Sequence, residues 1–299
     1  MLVPTRRSLL NEMWRARWAY AFLAVPILIL TVFWFGPIVY SFVLSFLRYR
    51  PAGSLWVGLD NFRQTFSDYR FGMGLRNTIK YTIGVVGVGL AVSLVMSALI
   101  YRLRSQKLQV FFKGAYYLPG VASAAVVSLV WLWLFEPTFG LLNYLLGLVG
   151  LGPVLWLANA KMALPSIMLM SLAGGQGASV VLLTAAMGGV PPEIYEAASI
   201  DGADERRQFR SVTIPLIMPT ILYLLIICTI NGFQLFTEIY MMTNGGPGNA
   251  TATIVYNIYR LAFDNFDFGR ASAQAVILFL ILAAISYVQY RGFGREVEY

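Results

Sequence analysis

Residues 193–215 read EIYEAASIDGADERRQFRSVTIP, the one long run of the chain that is densely charged and patterned as two short amphipathic helices. Pro191-Pro192 precedes it, and the second proline suits a first helical position, where a missing N–H costs nothing. Glu193 and Glu196 then fall early in the helix, favoured by the positive end of its dipole. Ile194, Ala197, Ala198 and Asp201 recur at helical spacing on one short face. Gly202 interrupts, and a second charged helix through Asp204, Glu205, Arg206, Arg207 and Arg210 runs into Pro215. Apolar runs flank the stretch on both sides. The reading is a loop on one side of a membrane, folded as two short helices about a glycine elbow and shaped as a docking lever.

Outward from this loop, composition sets the class. Hydrophobic residues make up 58% of the 299 residues and charged residues 12%, about half the charge of a soluble domain. Mean hydropathy is +0.68. Six helical spans are predicted at about 18–42, 79–101, 115–135, 163–187, 215–236 and 273–290, each near the roughly 20 residues a bilayer requires. The expected fold is therefore an all-α integral membrane protein of six helices. Residues 1–17 and 291–299 form tails, and the coupling loop at 188–214 joins helices 4 and 5. Such long uninterrupted runs are unlike the short alternating strands of outer-membrane barrels. The first span follows a basic segment but is too long for a cleaved signal, so it reads as a retained helix, bent at Pro26 or Pro37.

Lys and Arg in the connections set the orientation. Arg6, Arg7, Arg15, Arg17, Arg102, Arg104, Lys107, Lys113, Arg206, Arg207, Arg210, Arg291 and Arg295 fall on one set of segments. Their density there is about twice that of the other set. Both termini and the charged loop are thus expected on the cytoplasmic side, and the net charge of +8 is chiefly a topology signal rather than a nucleic-acid footprint. Of the outer connections, 141–157 is apolar but cut by Gly147, Gly150, Gly152 and Pro153, and is expected to be interfacial or re-entrant, with a seventh span as the alternative.

The missing residue types exclude several chemistries. With no histidine and a single cysteine, Cys228, a histidine-based catalytic triad, a zinc site and a disulfide are out. No lysine is followed by Ser or Thr, so there is no nucleotide-binding G-K-[ST] loop. The chain reads as a non-enzyme with no catalytic, metal or cofactor residues of its own. Apart from Lys80 at the outer edge of the second span, the spans carry no charged residue, which disfavours a proton relay. A sodium-coupled carrier using carbonyls and hydroxyls stays open, as does a receptor or scaffold. Energy is expected to enter through the charged loop.

For the pathway itself, Asn231, Gln234 and Glu238 share one face of the fifth span, with Phe233, Phe236 and Tyr240 on the adjoining face. Amides donate and accept, matching hydroxyl groups. Gly174, Gly175, Gln176 and Gly177 stand in the middle of the fourth span, where glycines permit either close packing or a bend that lines a cavity.

Glu196-Ala197-Ala198, Gly202 and Val212-Thr213-Ile214-Pro215 together resemble the EAA loop of ABC importer permeases, with Val212 and Ile214 as departures of similar shape. Gly58-Leu59-Asp60-Asn61-Phe62 and Thr243-Asn244-Gly245-Gly246-Pro247 resemble outer-loop segments of the same family. The resemblance is to the carbohydrate-importer type, maltose F-like or glycerol-3-phosphate permease A-like. It implies a subunit of the bacterial or archaeal cytoplasmic membrane, importing a carbohydrate by alternating access; glycerol-3-phosphate or another polar sugar derivative is the alternative. Implied partners are a homologous second permease, two ATPase subunits that bind ATP and magnesium, an extracytoplasmic binding protein and the lipid bilayer. Glu196, Ala197, Ala198, Gly202, Asp204, Arg206 and Pro215 would form the ATPase-coupling element, and Gly174, Gly175, Gln176, Asn231, Gln234 and Glu238 the substrate pathway. Against the maltose-type sugar site the match is loose, with Gly174, Gly175, Ala178, Gly232 and Leu235 in place of aromatic and asparagine positions.

Overall fold

The computed structural model of the protein describes residue 14 and residues 16–49 and 53–293. The first half of the chain folds into α1 (Arg17–Leu44), α2 (Asp60–Ser67), α3 (Tyr69–Tyr101), α4 (Gln106–Tyr117), α5 (Ala124–Leu134) and α6 (Leu141–Leu148). The second half gives α7 (Ala163–Gly174), α8 (Gly177–Gly188), α9 (Pro192–Ile200), α10 (Glu205–Gln208), α11 (Met218–Phe233), α12 (Thr237–Met242), α13 (Ile254–Tyr259) and α14 (Phe268–Phe293). Four stretches are long and apolar enough to cross a membrane: Arg17–Leu44, Tyr69–Tyr101, Met218–Met242 and Phe268–Gly292. Two further pairs are bent, Gln106–Val121 with α5 by 92° and α7 with α8 by 45°, giving up to six spans if each pair is one.

The unbroken α3 organises the rest. Its 33 residues span about 50 Å. Asp68 caps its start by accepting the Arg70 N–H at 2.9 Å, and the same carboxylate pairs with Arg270 of α14 at 3.0 Å. Near this end Asn77 donates to the carbonyls of Asn249 and Ala252 at 3.1 and 3.0 Å, and Asn257 donates to the Arg70 carbonyl at 2.7 Å. The far end of α3 meets the charged loop: Arg102 pairs with Glu205 at 3.0 Å. Between them Ser97 donates to the Val180 carbonyl of α8 at 3.0 Å. The 243–257 connection and the charged loop therefore sit at opposite ends of one rod. Asn77→Ala is expected to cost about 1–3 kcal/mol by orphaning two carbonyls, read as a lower melting temperature in detergent; an unchanged melt would show that the anchor is idle.

Several expectations are corrected. The chain is not wholly helical, since Leu47–Arg48 and Leu55–Trp56 form a two-residue antiparallel ladder. The second span begins ten residues before the predicted 79, at Tyr69. Its polar first turns lowered the hydropathy there without breaking the helix. The third begins at Gln106 and turns at Pro119-Gly120, so Lys107 and Lys113 ride on a helix rather than in a loop. The irregularity of α1 is a π-helical turn at Thr31–Phe35, lying between Pro26 and Pro37. At eight residues, α6 is too short to span, as the glycines after it required. Just before it Glu136 closes a tight turn, and the N–H of Phe139, then the hydroxyl and N–H of Thr138, hold its carboxyl below the usual carboxylate range. The tails drawn at 1–17 and 291–299 fall largely outside the described residues.

Candidate functional site

A cavity of about 790 Å³ opens against the middle of α3, where Tyr81, Val85, Val86 and Leu90 form one wall. The other walls are the places where helices break. Pro119, Gly120 and Ala122 come from the turn between α4 and α5; Gly174, Gly175 and Gln176 from the joint between α7 and α8; Gln234, Leu235 and Phe236 from the gap between α11 and α12. Non-helical backbone at membrane depth is tolerated where it faces a cavity or other protein. Convergence of three such breaks on one space is the main feature of the fold.

The local sequence explains each joint. Pro119 lacks an N–H, so α4 ends in a tight 3-10 turn and the chain restarts at Ser123, whose hydroxyl caps α5. In the second joint Gly177 packs on the backbone of Tyr116 and Tyr117 so closely that no side chain fits. Bend and packing, weighed as alternatives for these glycines, occur together. Gln176 turns inward, accepting from Ser93 at 3.3 Å, over Gly89, where an added Cβ would lie 2.6 Å from its Oε1.

All six sequence-predicted pathway residues, Gly174, Gly175, Gln176, Asn231, Gln234 and Glu238, line this cavity. They do not do so as one helical face. The helix stops at Phe233 and resumes at Thr237, so the assumed regular spacing is broken between Gln234 and Glu238. Neither the Asn231 nor the Gln234 side chain hydrogen-bonds to another described residue, and both are exposed. Both amides are thus open to the cavity, free to pair with water or a polar occupant that enters it. Phe236 lines the cavity, whereas Phe233 is buried against Phe71, Ile254 and Ile277 and takes no part.

Sequence reasoning missed Tyr81, Ser171, Thr237 and Trp131. Tyr81 shares a hydrogen bond of 2.7 Å with Ser171, and Trp131 packs on Phe135 at 5.1 Å. A tyrosine or tryptophan inside an apolar run was the available signal, but the run has many aromatics that face outward. Glu238 is the only charged residue among the described lining residues.

The second candidate element is the charged loop. Pro192 opens α9, Gly202 takes φ +77°, and the Asp204 carboxylate caps α10 by accepting the Arg207 N–H at 2.8 Å, but the second helix expected through Arg210 passes after Gln208 into a π-helical turn, Phe209–Thr213. The helix ends at Ile200, one residue short of Asp201, and only Glu193 of the two glutamates stands in its first turn. Glu196, Ala197, Gly202, Asp204, Arg206 and Pro215 are exposed and Ala198 is partly so. The opposite side is anchored. Tyr195 shares a hydrogen bond of 3.0 Å with Thr213, and Tyr195 and Phe209 pack on the cluster of Leu183, Met187, Val190, Ile217 and Leu224. Exposed salt bridges contribute little, so this apolar cluster rather than Arg102–Glu205 fixes the loop to the helices.

A family model described as "Binding-protein-dependent transport system inner membrane component" matches residues 89–299. Among curated relatives, a sn-glycerol-3-phosphate transport system permease protein UgpA of Yersinia pestis is 32% identical, covering 94% of this chain and 96% of its own. The protein of the same name from Escherichia coli strain UTI89 is 33% identical, over 97% and 98%. Among solved structures, a bacterial ABC transporter involved in import of the acidic polysaccharide alginate gives a TM-score of 0.87. It is 22% identical and covers 98% of this chain and 100% of that one, a likeness of fold.

Proposed function

The chain belongs to the family of binding-protein-dependent transport system inner membrane components, and from that premise we propose that it passes a neutral, hydroxylated carbohydrate through the cavity beside α3 by alternating access. The observation that carries this reading is the cavity's chemistry. Amides at Gln176, Asn231 and Gln234, hydroxyls at Tyr81, Ser171 and Thr237, and the rings of Trp131 and Phe236 line it. Amides and hydroxyls exchange hydrogen bonds with sugar hydroxyls, and ring faces accept the apolar side of a sugar ring.

The relatives named for sn-glycerol-3-phosphate favour a second reading, a phosphorylated ligand. Charge argues against it. A phosphate in this cavity would meet the Glu238 carboxylate and no basic side chain among the described lining residues, and unpaired buried anions are costly.

Energy would enter at the other end. The exposed face of Glu196, Ala197, Ala198, Gly202, Asp204 and Arg206 suits docking onto cytoplasmic ATPase subunits, with Glu196 as an ionic contact. ATP and magnesium belong to those partners. A homologous second permease would complete the pathway, and an extracytoplasmic binding protein would deliver the ligand. A docked loop shifts the helices only if it interacts differently with the open and closed ATPase pair. The Tyr195–Phe209 cluster is the route by which that difference reaches α3, α8 and α11.

The test is uptake by the complete importer in liposomes, comparing neutral oligosaccharides with sn-glycerol-3-phosphate. Neutral sugar is expected to enter with ATP hydrolysis while glycerol-3-phosphate neither enters nor competes. Import of glycerol-3-phosphate would sink the neutral-ligand reading and leave the permease standing. Sodium-driven uptake without the ATPase subunits would overturn the energy source.

A further inference from the structure

Phe236, whose ring lines the cavity, is the first of six aromatic rings in continuous contact. It stacks on Tyr240 at 5.5 Å and lies 5.0 Å from Tyr259, and those two meet at 5.3 Å. Tyr259 touches Phe263 at 5.1 Å, Phe263 touches Phe268 at 6.5 Å, and Phe268 touches Tyr49 at 5.4 Å. The rings come from separate pieces of chain: the gap before α12 and α12 itself, α13 with the π-helical turn Arg260–Asp264, the start of α14, and the residue after the first strand. Rings gathered from distant parts of a sequence ordinarily mark a core. These do not make one, since Tyr240 is 43%, Phe263 60% and Tyr49 39% exposed.

The row also has a direction. It leaves the cavity at Phe236 and runs to Phe268, at the start of the helix whose Arg270 pairs with Asp68 at the end of α3 away from the charged loop. Its borders are polar. Arg260 pairs with Asp264 at 3.4 Å beside it, and Tyr240 and Tyr259, whose rings meet, each bring a hydroxyl to it. Such a border also suits rings at a membrane–water interface, but these rings run into the cavity through Phe236, and a ligand that is apolar on its faces and hydroxylated at its rim matches both parts. Continuity with the cavity through Phe236 favours a ligand of the same chemistry over a separate protein partner.

We infer that the six rings form a track that holds an extended carbohydrate chain, unit by unit, between the outer face and the cavity. This rests on the reading of the cavity as a site for neutral carbohydrate. It adds that the ligand exceeds the cavity in length, and that residues outside the cavity select for chain length.

The experiment uses the complete importer in liposomes with sugar-loaded binding protein in excess. The probes are neutral disaccharides and their hexasaccharide homologues of the malto-, cello-, xylo- and galacto- series. Phe263→Ala combined with Tyr240→Leu, changes at exposed positions, is expected to lower hexasaccharide turnover about tenfold, the size of two lost ring contacts, and to leave disaccharide turnover within about twofold. Basal ATP hydrolysis and co-purification of the subunits should be unchanged, and Phe263→Tyr by itself, which keeps both rings, should leave hexasaccharide turnover at the parent's level. Equal losses at every length, the mark of a seat for the binding protein, would overturn the track while the function stood; so would no loss, or a parent importer confined to disaccharides. Failure of the parent importer to take up any of these sugars would overturn both.

Discussion

Gly177→Val is expected to lower the stability of the protein by about 3 kcal/mol. A Cβ built on Gly177 collides with the carbonyl oxygen of Tyr116 and stands 2.6 Å from the Cα of Tyr117 and 2.7 Å from the carbonyl carbon of Tyr116. All three obstacles are main chain. No rotamer relieves them, so α8 must move off the end of α4, and one joint of the cavity opens with it. Gly89 makes the contrast, because there the obstacle is the end of the Gln176 side chain, which can swing aside. Thermal unfolding in detergent should show the Gly177 variant melting far below the parent and losing transport. Gly87→Ala, with nothing within 4 Å of the added Cβ, serves as the control and should melt at or slightly above the parent. A Gly177→Val protein that melts with the control would show that the joint is loosely packed.

Gly202→Val is expected to do the opposite: abolish transport with little change in melting. Nothing lies within 4 Å of a Cβ at this position, so space is not the obstacle. The backbone is. Gly202 sits at φ +77° just after α9, its N–H donating to the Ser199 carbonyl at 3.0 Å while the Ala203 N–H reaches the Ala198 carbonyl at 2.9 Å. This helix-ending arrangement requires the left-handed region, which costs a branched residue roughly 1–2 kcal/mol. The exposed loop would relieve that strain by unwinding the last turn of α9, swinging Glu196–Ala198 relative to α10. Uptake by the reconstituted importer should fall at least about tenfold, the change that a misplacement of about 1.4 kcal/mol produces. Insertion and melting should persist. Normal ATP-driven uptake in this variant would remove the elbow from the mechanism.

Much of the architecture was legible because apolar runs announce membrane helices whatever their tertiary setting. The short helices on either side of Gly202 were legible for another reason: Pro192, Gly202 and Asp204 mark helix ends by their own chemistry. Joints were harder. Pro119-Gly120 lies inside a run that hydropathy scores as continuous, and a 92° bend leaves apolar composition unchanged. Lys107 and Lys113 lowered the score of α4 enough to make it look like a loop, although neither residue opposes a helix. The cavity was half legible. Asn231, Gln234 and Glu238 stood out as polar residues in or beside an apolar segment, and they reach one cavity despite the break between them. Tyr81 and Trp131 were hidden, because an aromatic residue facing a cavity and one facing lipid look alike until the packing around them is known.

The one straight wall has a further consequence. Every other wall of the cavity is jointed at mid-depth, whereas α3 passes it without a break. A stiff beam cannot shorten or fold when one end is pushed; it moves as one piece, and pivoting is the motion that carries its two ends apart. One end is tied to the charged loop through Leu94 and Ala98, which pack with Tyr195 and Phe209 on one apolar cluster, and the other to the 243–257 connection through Asn77 and Asn257. If the beam turns about its middle, where the cavity lies, the two ends travel in opposite senses. Under the proposed alternating access, closing the mouth beside the charged loop would open the opposite one by the same seesaw, and no separate signal would have to cross the membrane to keep both from being open at once.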